Sequence, residues 1–144
     1  VPNRNHYLAL DPGHTSGWAT FDDTGDCTAV GQIKGLESLH AFLSKITPPP
    51  EVVIFENFKL FAWKAAQQSG SQLETVQAIG LIKAACFTWG VTPVDQNPNI
   101  KSVAEKWSGV KANKNHAESH KDDAYNHGIY YLVQNKIINL MDLL

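Results

Sequence analysis

YLALDPGHTSGWATF, residues 7–21, is the stretch on which the reading of this chain turns. Four apolar residues run straight into Asp11, a Pro-Gly-His-Thr-Ser-Gly segment supplies turn chemistry, and a second apolar-rich run follows from Gly17. A short apolar run flanked by breakers predicts a buried strand, and its resumption after a few turn residues predicts an antiparallel partner. The partner reads as GWATFD, 17–22, and CTAVGQIK, 27–34, follows the turn signal at 22–26 as a third strand.

Beyond these strands the period changes. LESLHAFLSKI, 36–46, places Leu36, Leu39, Phe42, Leu43 and Ile46 at helical spacing and stops before Pro48-Pro49-Pro50. EVVIFE, 51–56, predicts a second buried strand. SQLETVQAIGLIKAACFTWG, 71–90, predicts a long helix with two apolar stripes, one of Leu73, Val76, Gly80, Ala84 and Phe87, the other of Ile79, Ile82 and Cys86. A helix of this kind is covered twice, by the sheet and by something else. VTPVDQ, 91–96, contains a proline and so predicts an edge strand, and 116–134 predicts the last strong helix. Three meandering strands followed by strands alternating with helices make an α/β chain, with a central mixed five-stranded sheet and helices on both faces.

The 144 residues, 43% of them hydrophobic, fit one domain spanning 1–144 with one core. Cys27 and Cys86 form no close-spaced ligand pair, which favours a reducing compartment. The opening residues hold too short an apolar run for a signal peptide, and no stretch approaches the ~20 residues of a membrane span, so a cytoplasmic location and no membrane partner are expected. A net charge of −2 does not advertise a polyanionic partner. Its distribution is more telling, because residues 101–121 hold five lysines against two glutamates and read as a phosphate-facing surface or a solvated loop.

Both buried strands end in a carboxylate: YLAL runs into Asp11 and VVIF into Glu56. Working sites in such sheets gather at strand ends, and desolvated carboxylates repel one another unless a cation lies between them. A third acid, Asp123, stands on the last helix in SHKDDAYNHGIYYL, where small Ala124 and Gly128 would let the helix lie close to the sheet. His116, His120, Asp123 and His127 share that side, and Asp122 points about 100° away. An oxygen-rich cluster with open positions suits magnesium or manganese and hydrolysis of a phosphodiester. The competing reading is a zinc site of His116, His120 and Asp123.

These segments together resemble the RuvC-type Holliday junction resolvases, particularly their short phage versions. LALDPGHTSGWATF is similar to that family's first strand and turn, VVIFENF to its second acidic strand, LETVQAIGLIKAAC to the long helix after it, and HKDDAYNHG to its terminal motif. The resemblance implies a ribonuclease H-like fold. It further implies that Asp11, Glu56, His120 and Asp123 are catalytic and hold Mg2+, for which Mn2+ substitutes. The implied protein is a homodimer on branched DNA, nicking two opposed strands of a four-way junction. Ile79 or Ile82 is the expected meeting point of the two copies. The family also has an aromatic residue shortly after the second acid, for which Phe58 and Phe61 are the candidates.

Arg4 is the sole arginine, so few guanine-reading forks are present and recognition should rest on shape and phosphates. Lys101, Lys106, Lys111 and Lys114 are the expected phosphate contacts. Two other function classes remain: a related nuclease acting on RNA ends or other branched DNA, and a non-catalytic junction-binding module.

Overall fold

β1 (Tyr7–Asp11) and β4 (Val52–Glu56) lie side by side and parallel, with Leu10 next to Phe55, and they form the middle of the sheet. The computed structural model describes residues 3–58, 70–112 and 119–144. Phe61, Lys114 and His116 fall outside the described residues. β2 (Thr15–Phe21) and β3 (Cys27–Lys34) add antiparallel on one side, and β5 (Val94–Gln96) adds parallel on the other, giving the order β3-β2-β1-β4-β5. The edge position expected for 91–96 is found, although Pro93 itself lies just before the strand, which is only Val94–Gln96.

Alternation along the two central strands sorts their side chains onto two cores. Leu8, Leu10, Val53 and Phe55 face α1 (Leu36–Lys45) and α2 (Gly70–Trp89), packing with Leu39, Leu43, Ala78, Ile79, Ile82 and Cys86. Tyr7, Ala9 and Ile54 face the other way, with Ala19 and Phe21 of β2, against Ile129 and Leu132 of α4 (Ser119–Gln134). Helices therefore cover both faces, which is why the central strands are apolar throughout. A further helix, α3 (Lys101–Ser108), packs on α4 through the stacked rings of Trp107 and Tyr130. It occupies part of the lysine-rich segment that the sequence presents as open surface.

Ile79 and Ile82 are corrected by this arrangement. Both are buried in the chain's own core, so neither can meet a second copy. The other stripe of α2 is the exposed one: Leu73, Val76, Gly80, Ala84 and Phe87 all face out, Phe87 with 90% of its surface accessible. Cys27 is exposed and Cys86 buried, and both are free thiols. No helix among the described residues is long and apolar enough to cross a membrane.

Two glycines let α4 settle on the sheet. A Cβ on Gly17 would stand 1.9 Å from the backbone oxygen of His120, and one on Gly128 would stand 2.3 Å from the Phe21 ring. The first contact is main chain against main chain, which cannot yield by turning a rotamer. Gly17→Ala is therefore expected to destabilise the chain by about 3 kcal/mol, the upper end of overpacking costs, because α4 must lift from β2. Urea unfolding measures this, and an unchanged midpoint would mean that the helix does not rest on Gly17.

Candidate active site

Asp11 and Glu56 are the last residues of their strands, and alternation turns both toward α4, as it does Ala9 and Ile54 two positions earlier. Asp11 pairs with Gly17 across β2, Gly17 with Gln32 across β3, and Glu56 with Gln96 across β5. With Asp11 and Glu56 following the Leu10–Phe55 pair, one row of residues crosses the sheet: Gln32, Gly17, Asp11, Glu56, Gln96.

α4 lies along this row and meets it at each step. The Lys121 backbone N–H donates to Gln32 Oε1 at 3.2 Å, close to the start of the helix, where N–H groups lack helical partners. His120 Nδ1 is 3.1 Å from Asp11 Oδ2. His127, wholly buried, places Nδ1 2.8 Å from Gln96 Oε1 and Nε2 3.3 Å from Glu56 Oε1. Asp123 lies between the two histidines on the same face. The chain also brings in Lys101 from α3, with Nζ 2.8 Å from Glu56 Oε1 and 3.3 Å from Asp123 Oδ2. His127 Nε2 and Glu56 Oε1 are close to each other, yet both are buried without a well-aligned hydrogen bond among the described residues.

The electrostatics follow from packing several ionisable groups into one partly buried space. Burial pushes the Asp11 carboxyl up to about 7, and the neighbouring Glu56 adds to this, while the hydrogen bond with His120 opposes it. Burial would raise Glu56 as well, but contacts from His127, Asp11 and Lys101 outweigh it and hold Glu56 below the usual carboxylate range. Of the two neighbouring carboxyls, Asp11 is thus the one shifted toward its protonated form and Glu56 the one shifted toward its charged form. Burial raises Asp123 against the pull of Lys101, and the hydrogen bond with Asp11 raises His120.

In the metal-free chain these shifts make stability fall as pH rises toward neutrality and above. The Asp11 carboxyl loses its proton near 3.8 when unfolded and near 7 when folded, so the folded state is increasingly penalised as pH rises through that window. Asp123 acts with the same sign, and the stability contributed by protonated His120 is lost as pH rises through its raised folded value. Glu56 acts only at lower pH, where its contribution is lost as pH falls. In chelator the urea midpoint is expected to be higher at about pH 5 than at about pH 8. The opposite order would mean that these carboxylates do not crowd one another in solution.

Oxygen donors from Asp11, Glu56 and Asp123, with an imidazole from His120, are the donor set that magnesium or manganese takes. The Lys101 ammonium, drawn in between Glu56 Oε1 and Asp123 Oδ2, marks a place that needs positive charge. The donor chemistry therefore fits a hard divalent ion. Zinc through His116 falls on a residue outside the described ones.

Of the residues expected from sequence, Asp11, Glu56, His120 and Asp123 come together, and Asp122 stays off the stripe. Lys101 departs from its expected place on an open surface and lies among the carboxylates, with 26% of its side chain exposed. Lys106 and Lys111 are exposed. Phe58 is part-buried and packs against the core shared with α2. Sequence reading gave Gln96 and His127 no role. Gln96 ends β5 as Asp11 ends β1 and Glu56 ends β4, and His127 stands seven residues after His120 on one helix face. Both signals were available. Nothing local marks Lys101, whose position depends on how α3 packs.

A five-stranded mixed sheet in this order, with acids at the ends of its two central parallel strands and a third on the covering helix, is a ribonuclease H-like α/β fold. More particularly, the fold is RuvC-like. The chain is similar to T. thermophilus RuvC in complex with a Holliday junction substrate, at 15% identity and a TM-score of 0.65 over 91% of this chain and 94% of that one. It is similar also to the Thermus thermophilus RuvC structure, at 14% identity and a TM-score of 0.59 over 91% of this chain and 96% of that one. No family model and no curated protein matches the chain in sequence. At such identities the likeness is one of fold.

Proposed function

We propose that this chain is a structure-selective DNA endonuclease that resolves four-way junctions by paired, metal-dependent hydrolysis of phosphodiester bonds. The observation that carries the reading is the row of acids, Asp11 and Glu56 with Asp123 above them, at one end of a RuvC-like sheet. The solved RuvC held a Holliday junction substrate, which supports branched DNA as the class of partner.

Asp11, Glu56, Asp123 and His120 would hold Mg2+, with Mn2+ as a substitute. When bound, the ion supplies an activated water and charge stabilisation at the leaving oxygen. The chain's own residues do the rest. Asp11 and Glu56 are fixed by their strands. His120 is fixed by α4 with Nδ1 on Asp11, where it can orient water or accept a proton. Exposed Lys106 and Lys111 are the phosphate contacts, and Phe58, with Phe61, is the candidate ring at the junction centre.

Symmetric nicking of two strands needs two sites, so a second copy is part of the proposal. The exposed stripe of Leu73, Val76, Gly80, Ala84 and Phe87 is the surface suited to meeting its own symmetry mate. The test is cleavage of a mobile four-way junction beside flap, duplex and RNA substrates, with and without Mg2+, mapping product ends on all four strands. Paired nicks on the junction alone support the proposal. Cleavage of RNA ends or flaps in preference would replace the substrate, and no cleavage with tight junction binding would leave a binding module.

A further inference from the structure

Lys101 opens α3 just beyond β5, and its side chain runs back toward the sheet. Its ammonium is shared between Glu56 Oε1 and Asp123 Oδ2, at 2.8 Å and 3.3 Å, so that one cation joins a carboxylate from the sheet to one from the helix. Among the described residues, no three His, Cys, Asp or Glu side chains converge on one point as they would around a bound ion. What lies between two of the acids is the lysine.

We propose that Lys101 is a built-in counter-cation, which holds Glu56 and Asp123 together before a divalent ion binds and which that ion must displace. The proposal rests on the reading of Asp11, Glu56 and Asp123 as metal ligands. Without a positive charge, the acids crowded over the end of the sheet would repel one another, and α4 would be pushed from its seat. A divalent ion brings twice the charge and direct coordination, so it prevails once it is abundant. A four-carbon stem allows the displaced ammonium to move without disturbing α3. It has somewhere to go, for Lys101 and Asp123 border a cleft of about 560 Å³ whose walls include Ser102, Glu105 and Ser119. Glu105 offers the freed ammonium another carboxylate at that wall.

Competition of this kind weakens metal binding by a predictable sense and size. Two unit charges at about 4 Å in a water-like medium alter an equilibrium about fivefold, a divalent ion doubles the exponent, and the lysine's retreat returns part of it. Mn2+ binding to the full chain, followed by the loss of the free-ion paramagnetic resonance signal, is therefore expected to be about tenfold tighter in Lys101→Met than in the wild type. Lys101→Arg, which keeps the charge, should remain close to the wild type. Metal-free Lys101→Met should also melt at a lower temperature than the wild type, and Mn2+ should restore it. If Lys101→Met does not fold without metal, Lys101→Gln prepared with Mn2+ and titrated with a chelator gives the same comparison.

Equal or weaker Mn2+ binding in the neutral variants, with wild-type binding intact, would overturn the counter-cation and leave the metal site standing. Mn2+ binding that survives Asp11→Asn combined with Asp123→Asn would instead bring down the metal reading, and the counter-cation with it.

Discussion

Asp11→Asn, Glu56→Gln and Asp123→Asn are each expected to lower metal-dependent junction cleavage by about 10³-fold or more, while junction binding stays intact or tightens. Each change keeps the side chain's shape and removes the charge that a divalent ion requires. Removing clustered negative charge cannot weaken attraction to phosphate, so binding separates loss of chemistry from loss of fold. The three differ in what they do to the metal-free chain. Burial already disfavours a charged Asp11 in the metal-free chain, so Asp11→Asn should be the mildest to stability. Glu56→Gln takes away the closer partner of Lys101 and leaves a part-buried ammonium with Asp123 alone, so it should be the costliest. Cleavage rates on a labelled junction, read beside gel-shift binding and urea midpoints, check all of this. Normal nicking by any one variant would remove that residue from the site.

His120→Ala is expected to lose most of the cleavage activity, and His120→Asp to retain part of it with Mg2+ present. The imidazole stands 3.1 Å from Asp11 Oδ2, beside the same carboxylates that any bound ion would meet. Its hydrogen bond with Asp11 favours the protonated form in the metal-free chain. A bound cation would oppose that form and leave the imidazole a neutral donor or proton acceptor. An aspartate at this position can still serve as a donor, whereas alanine cannot. Asp122→Asn should do little, because Asp122 points about 100° from the stripe that faces the sheet. Loss of activity in Asp122→Asn, with survival of His120→Ala, would transfer the fourth position to Asp122.

Most of the frame was legible in the residues. Apolar runs that stop at Asp11 and Glu56 mark the two central strands and the working end of the sheet at once, since a carboxylate closing a buried apolar strand needs a partner that solvent-exposed acids do not. Ala124 and Gly128 signal a close-lying helix, and both are buried. What escaped the sequence depends on packing between distant segments. The two stripes of α2 are equally apolar, so composition could not say which one the core takes. The core takes Ile79 and Ile82, and the stripe ending in Phe87 is left outside. Lys101 reads as one lysine among five until α3 folds against α4 and carries it to Glu56. Gln96 and His127 become a pair only when β5 joins the edge of the sheet.

The seat of α4 on Gly17 sets a dimension of the site that no side chain controls. The height of the helix above Asp11 is set where the main chain of His120 touches the main chain of β2, with no side chain between. A side chain at position 17 would raise that height directly, as one at position 128 would against the Phe21 ring. A glycine standing across the ladder from the first acid is thus a mark of the fold that needs three dimensions to be seen.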